Sequence, residues 1–212
     1  MIGAFKNPGA KWDRHPHPVN DHDFRSDADA LAVPRGVYDT RANRGSVFVG
    51  TSHDTPAFAV DTLAQWWLCE GRQRYPHAQE ILILADGGGS NGWRCRAWKK
   101  DLQDRICNRF GLTVSVSHYP PGTSKWNPIE HRLFSQISRN WAGQPLSDIE
   151  TMLNFIRTTT TATGLIVTAH LTPGDYDTGI RISKAEMREL NLAKHDTLGS
   201  WNYSLRPNQN VN

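Results

Sequence analysis

Residues 81–85, Ile-Leu-Ile-Leu-Ala, form a short unbroken apolar run that stops at Asp86 and the glycine cluster Gly87-Gly88-Gly89-Ser90-Asn91-Gly92. A run of this length without polar alternation reads as a strand covered on both faces, the situation of parallel strands lying between helices. An α/β fold is therefore expected. In open α/β sheets ligands bind outside the carboxyl ends of the strands, which is where Asp86 stands. A charge at the end of a buried strand is costly to desolvate unless it is paired or bound to a metal. The competing reading is an Asp that caps the glycine turn or the helix beyond it.

A second carboxylate, Glu130, lies in the segment His118 to Phe134, HYPPGTSKWNPIEHRLF. Asn127 suits a helix N-cap, Pro128 the first helical position and Glu130 the third. Ile129, Leu133, Ile137 and Trp141 then recur at helical spacing, so one face of this helix is expected to be buried, with Glu130 one residue off that row. Glu130 can serve as a metal ligand at the border of core and solvent. It can also close a capping box or favour the helix dipole, and the local pattern alone leaves these readings open.

Gly87, Gly89 and Gly92 also satisfy the GxGxxG pattern of dinucleotide-binding folds between a strand and a helix. That fingerprint requires an acidic residue at the end of the next strand to hold the ribose hydroxyls. The next alternation, Leu112 to Val116, ends instead in Ser117, His118 and Tyr119. Asp86, directly before the glycines, would also repel a pyrophosphate, so a dinucleotide-binding α/β protein is the weakest of the alternatives.

Other elements follow from local signals. Gly36–Asp39 and Ser46–Val49 flank RANRG and read as a hairpin. Asp54 is expected to cap a helix with Pro56 in its first turn and with Ala59, Leu63 and Trp66 on its buried face, and Trp66 and Trp67 read as core. A helix is expected from Trp93 to Phe110, ended by Gly111, another from about Asp148 to Thr158, and a short one near Ala185 to Leu190. The prolines among His15, His17 and His22 argue for a surface loop over a metal cluster.

With 212 residues and 38% apolar content the chain can build one well-cored domain. A net charge of +3 and a pI near 8.8 fall short of a dedicated DNA-binding module. Cys69, Cys95 and Cys107 have no C-x-x-C spacing, which argues against a disulfide framework or a zinc site and for a reducing cytoplasm. No apolar run approaches the roughly 18 residues of a membrane span, and the N-terminus lacks signal-peptide features, so no membrane partner and a cytoplasmic location are expected.

The order hairpin, helix, strand, helix, strand, helix is that of a ribonuclease-H-like mixed sheet flanked by helices, with one strand absent from the front. In that architecture carboxylates from the first strand, the fourth strand and a late helix converge on two divalent metals. Asp86 and Glu130 occupy the second and third of those places. Two such ions can activate a water or a 3′ hydroxyl and stabilise the leaving oxygen in phosphodiester chemistry, and carboxylates are the ligands magnesium prefers.

The segments NPGAKW, DHDF, GVYD, VGTSHDTPAF, ILADGGGSNG, HYPPGTSKWNPIEHRLFSQIS and GLIVTAHL resemble the Rhodopirellula-type DDE transposase domain of bacterial insertion elements, from Ile2 to Trp201. YPPGTSKWNPIEH is also similar, more distantly, to the NPIE signature of mariner-like transposases. The resemblance implies that Asp86 and Glu130 are catalytic carboxylates and metal ligands, that Mg2+ or Mn2+ is the cofactor, in two ions, and that the reaction is DNA strand cleavage and strand transfer. It implies DNA as partner, at transposon ends and target, no small-molecule substrate, and room for a homo-oligomer. Arg94, Arg96, Lys99, Lys125 and Arg132 are the expected phosphate contacts, with a solvated helix face as their default reading.

In this family the first catalytic Asp lies in a DTKKKE-like strand just ahead of the segment matching Ile2 to Lys6. That Asp, its central strand and the upstream DNA-binding region are therefore expected to be missing, and none of Asp23, Asp39 and Asp54 replaces it. The expected domain covers residues 1–165, with 166–212 as a C-terminal extension packed on or trailing it. Impaired catalysis, weak metal binding and a marginal fold follow as expectations. The alternative of a different class is a non-catalytic remnant that binds DNA or an intact transposase.

Overall fold

A computed structural model describes residues 1–208 and divides the chain into two compact units, one of residues 1–53 with 128–175 and one of residues 54–127 with the chain from 176 onward. The architecture is mixed α/β, with two mixed sheets flanked by helices. The strands are β1 (Val33–Asp39), β2 (Arg44–Gly50), β3 (Glu80–Ala85), β4 (Thr113–His118), β5 (Ile166–Thr172), β6 (Leu192–Lys194) and β7 (Asn202–Leu205). The last four residues of the 166–212 segment lie outside the described residues.

In the first unit the sheet runs β1-β2-β5, with β1 and β2 antiparallel and β2 and β5 parallel. The expected hairpin is present. Its turn is held by Asp39, whose Oδ1 accepts from the backbone N–H groups of Arg41 at 3.1 Å and Ala42 at 3.0 Å. Asn43 adopts a positive φ of 52°, which Asn tolerates, and its Oδ1 accepts from the Tyr38 hydroxyl at 2.8 Å. One face of this sheet carries Gly45, Val47 and Val49 of β2 beside Val167 and Ala169 of β5. Leu133, Ile137, Leu153 and Ile156, from two helices, complete the same core.

Two glycines set the depth of that packing. A Cβ at Gly45 would collide with the Leu133 side chain, and one at Gly36 would sit 2.9 Å from Phe134 Cζ. The helical run through Glu130 thus lies against bare backbone. Its apolar row behaves as expected, with Leu133 and Ile137 buried and Ile129 and Trp141 partly buried against the cluster. The run includes a π-helical stretch, Glu130–Phe134, that leads into an α-helix at Ser135–Asn140. The helix expected from about Asp148 to Thr158 is present at Ile149–Arg157, and Asp148 caps it, accepting from Thr151 N–H at 2.7 Å.

In the second unit the sheet order is β3-β4-β7-β6, with β3 and β4 parallel and the remaining pairs antiparallel. Val114 and Val116 of β4 and Tyr203 and Leu205 of β7 are buried, together with Trp98, Leu102 and Ile106. The helix expected from Trp93 begins at Arg96, continues through a π-helical stretch at Gln103–Asn108 and ends at Gly111, whose φ is 70°. Trp66 and Trp67 are core residues at 8% and 7% exposure, as expected.

Two expectations need correction. The Pro56–Trp66 helix is capped by Thr55, whose side chain accepts from Phe58 N–H at 3.2 Å, and not by Asp54, which accepts from the Ser90 hydroxyl at 3.0 Å. Both residue types cap well, so local pattern could not choose between neighbours. The apolar run of β3 is not covered on both faces, since Leu82 is 63% and Leu84 44% exposed. The physical reason is that Leu82 and Leu84 share one face of β3, which is left uncovered while Ile81, Ile83 and Ala85 on the other are not; β3 also stands at the sheet edge, with β4 as its only strand neighbour among the described residues.

Candidate active site

Asp86 follows β3 directly and is exposed, so the cost of desolvation does not apply to its carboxylate. Its surroundings are nevertheless well defined within the second unit. The backbone N–H of Tyr119 donates to the Ala85 carbonyl at 2.8 Å, which extends the β3–β4 pairing one step past the strand ends. The Asp86 carbonyl lies 2.9 Å from His118 Nδ1, and the Asp86 carboxylate accepts at Oδ1 from the side-chain amide of Asn127 at 3.0 Å. A Cβ at Gly87 would lie 2.9 Å from the Tyr119 carbonyl, so only glycine fits beside the proline-rich loop without displacing it.

The tautomer of His118 follows from its partners. A carbonyl can only accept, so Nδ1 carries the proton towards Asp86 and Nε2 is an acceptor. The Tyr203 hydroxyl, 3.2 Å from Nε2, therefore donates to it and accepts from Trp98 Nε1–H at 3.0 Å. Burial pushes the His118 pKa down, which keeps the imidazole neutral near pH 7, and burial pushes the Tyr203 phenol up. A chain of hydrogen bonds thus runs from Trp98 through Tyr203 of β7 and His118 of β4 to the backbone of Asp86. Removing the hydroxyl with Tyr203→Phe leaves a buried Trp98 donor and a buried His118 acceptor unpaired. The expected loss of stability is about 1–3 kcal/mol, read from the denaturant midpoint at constant slope. An unchanged midpoint would dissolve the chain of bonds as a structural element.

Glu130 belongs to the other unit, where it is half-buried and opens the π-helical stretch Glu130–Phe134. Such stretches are rare and occur often at functional sites. Asn127, expected as the N-cap of this helix, is 4% exposed and directs its amide nitrogen to Asp86. Nothing in the local spacing announced that contact, because the partner is distant in sequence.

Among the expected phosphate contacts, Arg94, Arg96, Lys99 and Lys125 lie in the second unit and Arg132 in the first. Arg94 is exposed, with its guanidinium 4.5 Å from the Trp93 ring centroid, and Trp93 stacks on Trp201 at 5.7 Å. Arg96 is exposed and donates to the Ile182 carbonyl at 3.0 Å. Lys99 is half-buried, its ammonium donating to the Trp93 carbonyl at 2.7 Å and lying 4.8 Å from the Tyr203 ring. Burial first, and the charge of Lys194 second, lower its pKa. Lys125 is exposed beside Trp126, itself 64% exposed, and Arg132 is exposed on its helix.

Among the described residues no three of His, Cys, Asp and Glu gather into a cluster able to hold a metal ion. Asp86 is exposed in the second unit and Glu130 half-buried in the first, and each offers carboxylate oxygens, the donor type that magnesium takes. No helix of the described residues is long and apolar enough to cross a membrane.

A family model described as the Rhodopirellula transposase DDE domain matches residues 1–207. No curated protein and no solved structure matches the chain.

Proposed function

Because the chain belongs to the Rhodopirellula transposase DDE domain family, we propose that it acts in DNA transposition, in the cleavage and joining of DNA strands at the ends of an insertion element, with Asp86 and Glu130 as ligands for Mg2+ or Mn2+. One observation carries the assignment of these two residues. Asp86, at the carboxyl end of β3, is bonded to Asn127, and Asn127 precedes Glu130 by three residues in the same NPIE segment. Asn127 and Glu130 thus belong to one short motif, whose first residue is bonded to Asp86.

A divalent ion held by these carboxylates would supply positive charge at a scissile phosphate and lower the pKa of a water or 3′ hydroxyl. The residues of the chain supply the rest. Asp86 presents an exposed carboxylate on a backbone held by His118 and Tyr119. Glu130 presents a second one from a helix seated on glycine backbone. Arg94, Arg96, Lys99, Lys125 and Arg132 meet phosphates, sequence-independently and with an affinity that falls steeply with salt.

The two mixed sheets flanked by helices are compatible with a ribonuclease-H-like arrangement. Two assigned carboxylates hold ions less firmly than three, so cleavage is expected to be slow and the assay to need long incubation. A labelled duplex carrying the element's terminus should yield cleaved or joined strands with Mg2+ or Mn2+ and none with a chelator. Absence of product under both metals, with DNA bound, would leave the non-catalytic DNA-binding remnant as the better reading.

A further inference from the structure

Asn127 is buried at 4% exposure in a chain whose loop from Pro120 to Trp126 is otherwise largely open to solvent. A buried side-chain amide needs partners, and the partner of its nitrogen is the Asp86 carboxylate. The orientation of the amide follows from chemistry: an ionised carboxylate only accepts, so the NH2 end must face it. The contact uses Oδ1 alone. A carboxylate offers about four lone-pair sites on two oxygens, so Oδ2 stays available to a ligand while the bond to Oδ1 fixes the rotamer.

The rest of Asp86 is held by main-chain bonds, its carbonyl by the His118 ring and the preceding carbonyl by Tyr119 N–H. Among the described residues, the hydrogen bond to the side chain comes from Asn127. An exposed Asp without that bond would sample several rotamers, each of which points the carboxylate differently. Pro128 immediately follows Asn127 and restricts its backbone to extended conformations, which limits how far the amide can wander.

We propose that Asn127 is a positioning residue for Asp86, selecting the carboxylate rotamer that binds the divalent ion and tying the proline-rich loop to it. This rests on the reading of Asp86 as a metal ligand. Outer partners of ligating carboxylates typically change metal affinity by about 10–100-fold when removed, and that is the effect assigned to Asn127.

The test is a titration of the full chain with Mn2+ alone, followed by electron paramagnetic resonance, on the wild type, Asn127→Ala, Asn127→Leu and Asp86→Ala, with thermal melting of each metal-free protein. Leucine keeps the number and branching of asparagine's side-chain heavy atoms and removes both polar ends, and alanine removes the bulk as well, so packing and positioning separate. The expected result is loss of Mn2+ binding in Asp86→Ala, about 10–100-fold weaker binding in both Asn127 variants, and a metal-free melting temperature close to wild type in Asn127→Leu. Unchanged binding in Asp86→Ala would overturn the metal-ligand reading itself. Loss in Asp86→Ala with wild-type binding in both Asn127 variants would overturn the positioning role alone. Failure of both Asn127 variants to melt cooperatively would assign the residue to the fold and equally overturn it.

Discussion

Alanine at Asp86 or at Glu130 is expected to remove metal-dependent strand cleavage, by a factor of about 10²–10³ or more, while DNA binding in a gel shift stays near wild type. The magnitude follows from the several kcal/mol of charge stabilisation that a bound divalent ion contributes, at about 1.4 kcal/mol for each tenfold in rate. The selectivity follows from location. Asp86 is exposed and sits past the end of β3, outside the sheet's apolar packing. Its side chain is bonded to Asn127 rather than to a core residue. Phosphate contacts come from cations, so deleting a carboxylate does not weaken DNA affinity and lowers repulsion slightly. Variants that still cleave at the wild-type rate would remove these residues from the chemistry.

The second large effect is structural. Leu133→Ala is expected to cost about 2–5 kcal/mol of unfolding free energy in chemical denaturation, a large part of the stability of a typical domain. Leu133 is fully buried, lies in the core of the first unit and fills the space that Gly45 leaves open. With its side chain gone, the bare backbone of β2 at Gly36's partner strand has nothing to replace the lost contacts, and partial collapse is limited by the rigid β-sheet beneath. Leu133 is also three residues beyond Glu130 on the same helical run, so the loss reaches the site through the seating of that helix. A cost under about 1 kcal/mol would mean that the helix is not anchored where the glycines suggest.

Much of the local structure was legible because it is decided locally. Asp39 closes its turn, a helix follows Asp148, Gly111 ends another, and the Ile129, Leu133, Ile137 row faces the core. What could not be read depends on distant partners. β5 and β7 became strands by pairing with β2 and with β4, and nothing in IVTAHLT or NYSL names those neighbours. The exposure of Leu82 and Leu84 depends on what packs on their face of β3, which an apolar run does not encode. The π-helical stretches Gln103–Asn108 and Glu130–Phe134 likewise left no mark in the hydrophobic spacing.

The candidate site divides in the same way. Asp86 and Glu130 were visible as a carboxylate after an apolar run and a carboxylate in the first turn of a capped helix. Asn127 was visible only as a cap, because its bond to Asp86 crosses from one motif to the other. Tyr203 and His118 were absent from the expected site, since the C-terminal tail gave no sign that it would supply a strand beside β4.

The proposal that Asp86 and Glu130 are both ligands of a divalent ion is tested most directly by a double-mutant cycle on Mn2+ binding. Binding is measured by electron paramagnetic resonance for the wild type, Asp86→Ala, Glu130→Ala and the double variant. Two ligands of one site are strongly coupled, so each single variant should lose binding to nearly the extent of the double. Single losses that add up independently, or Mn2+ binding retained in either single variant, would contradict the account.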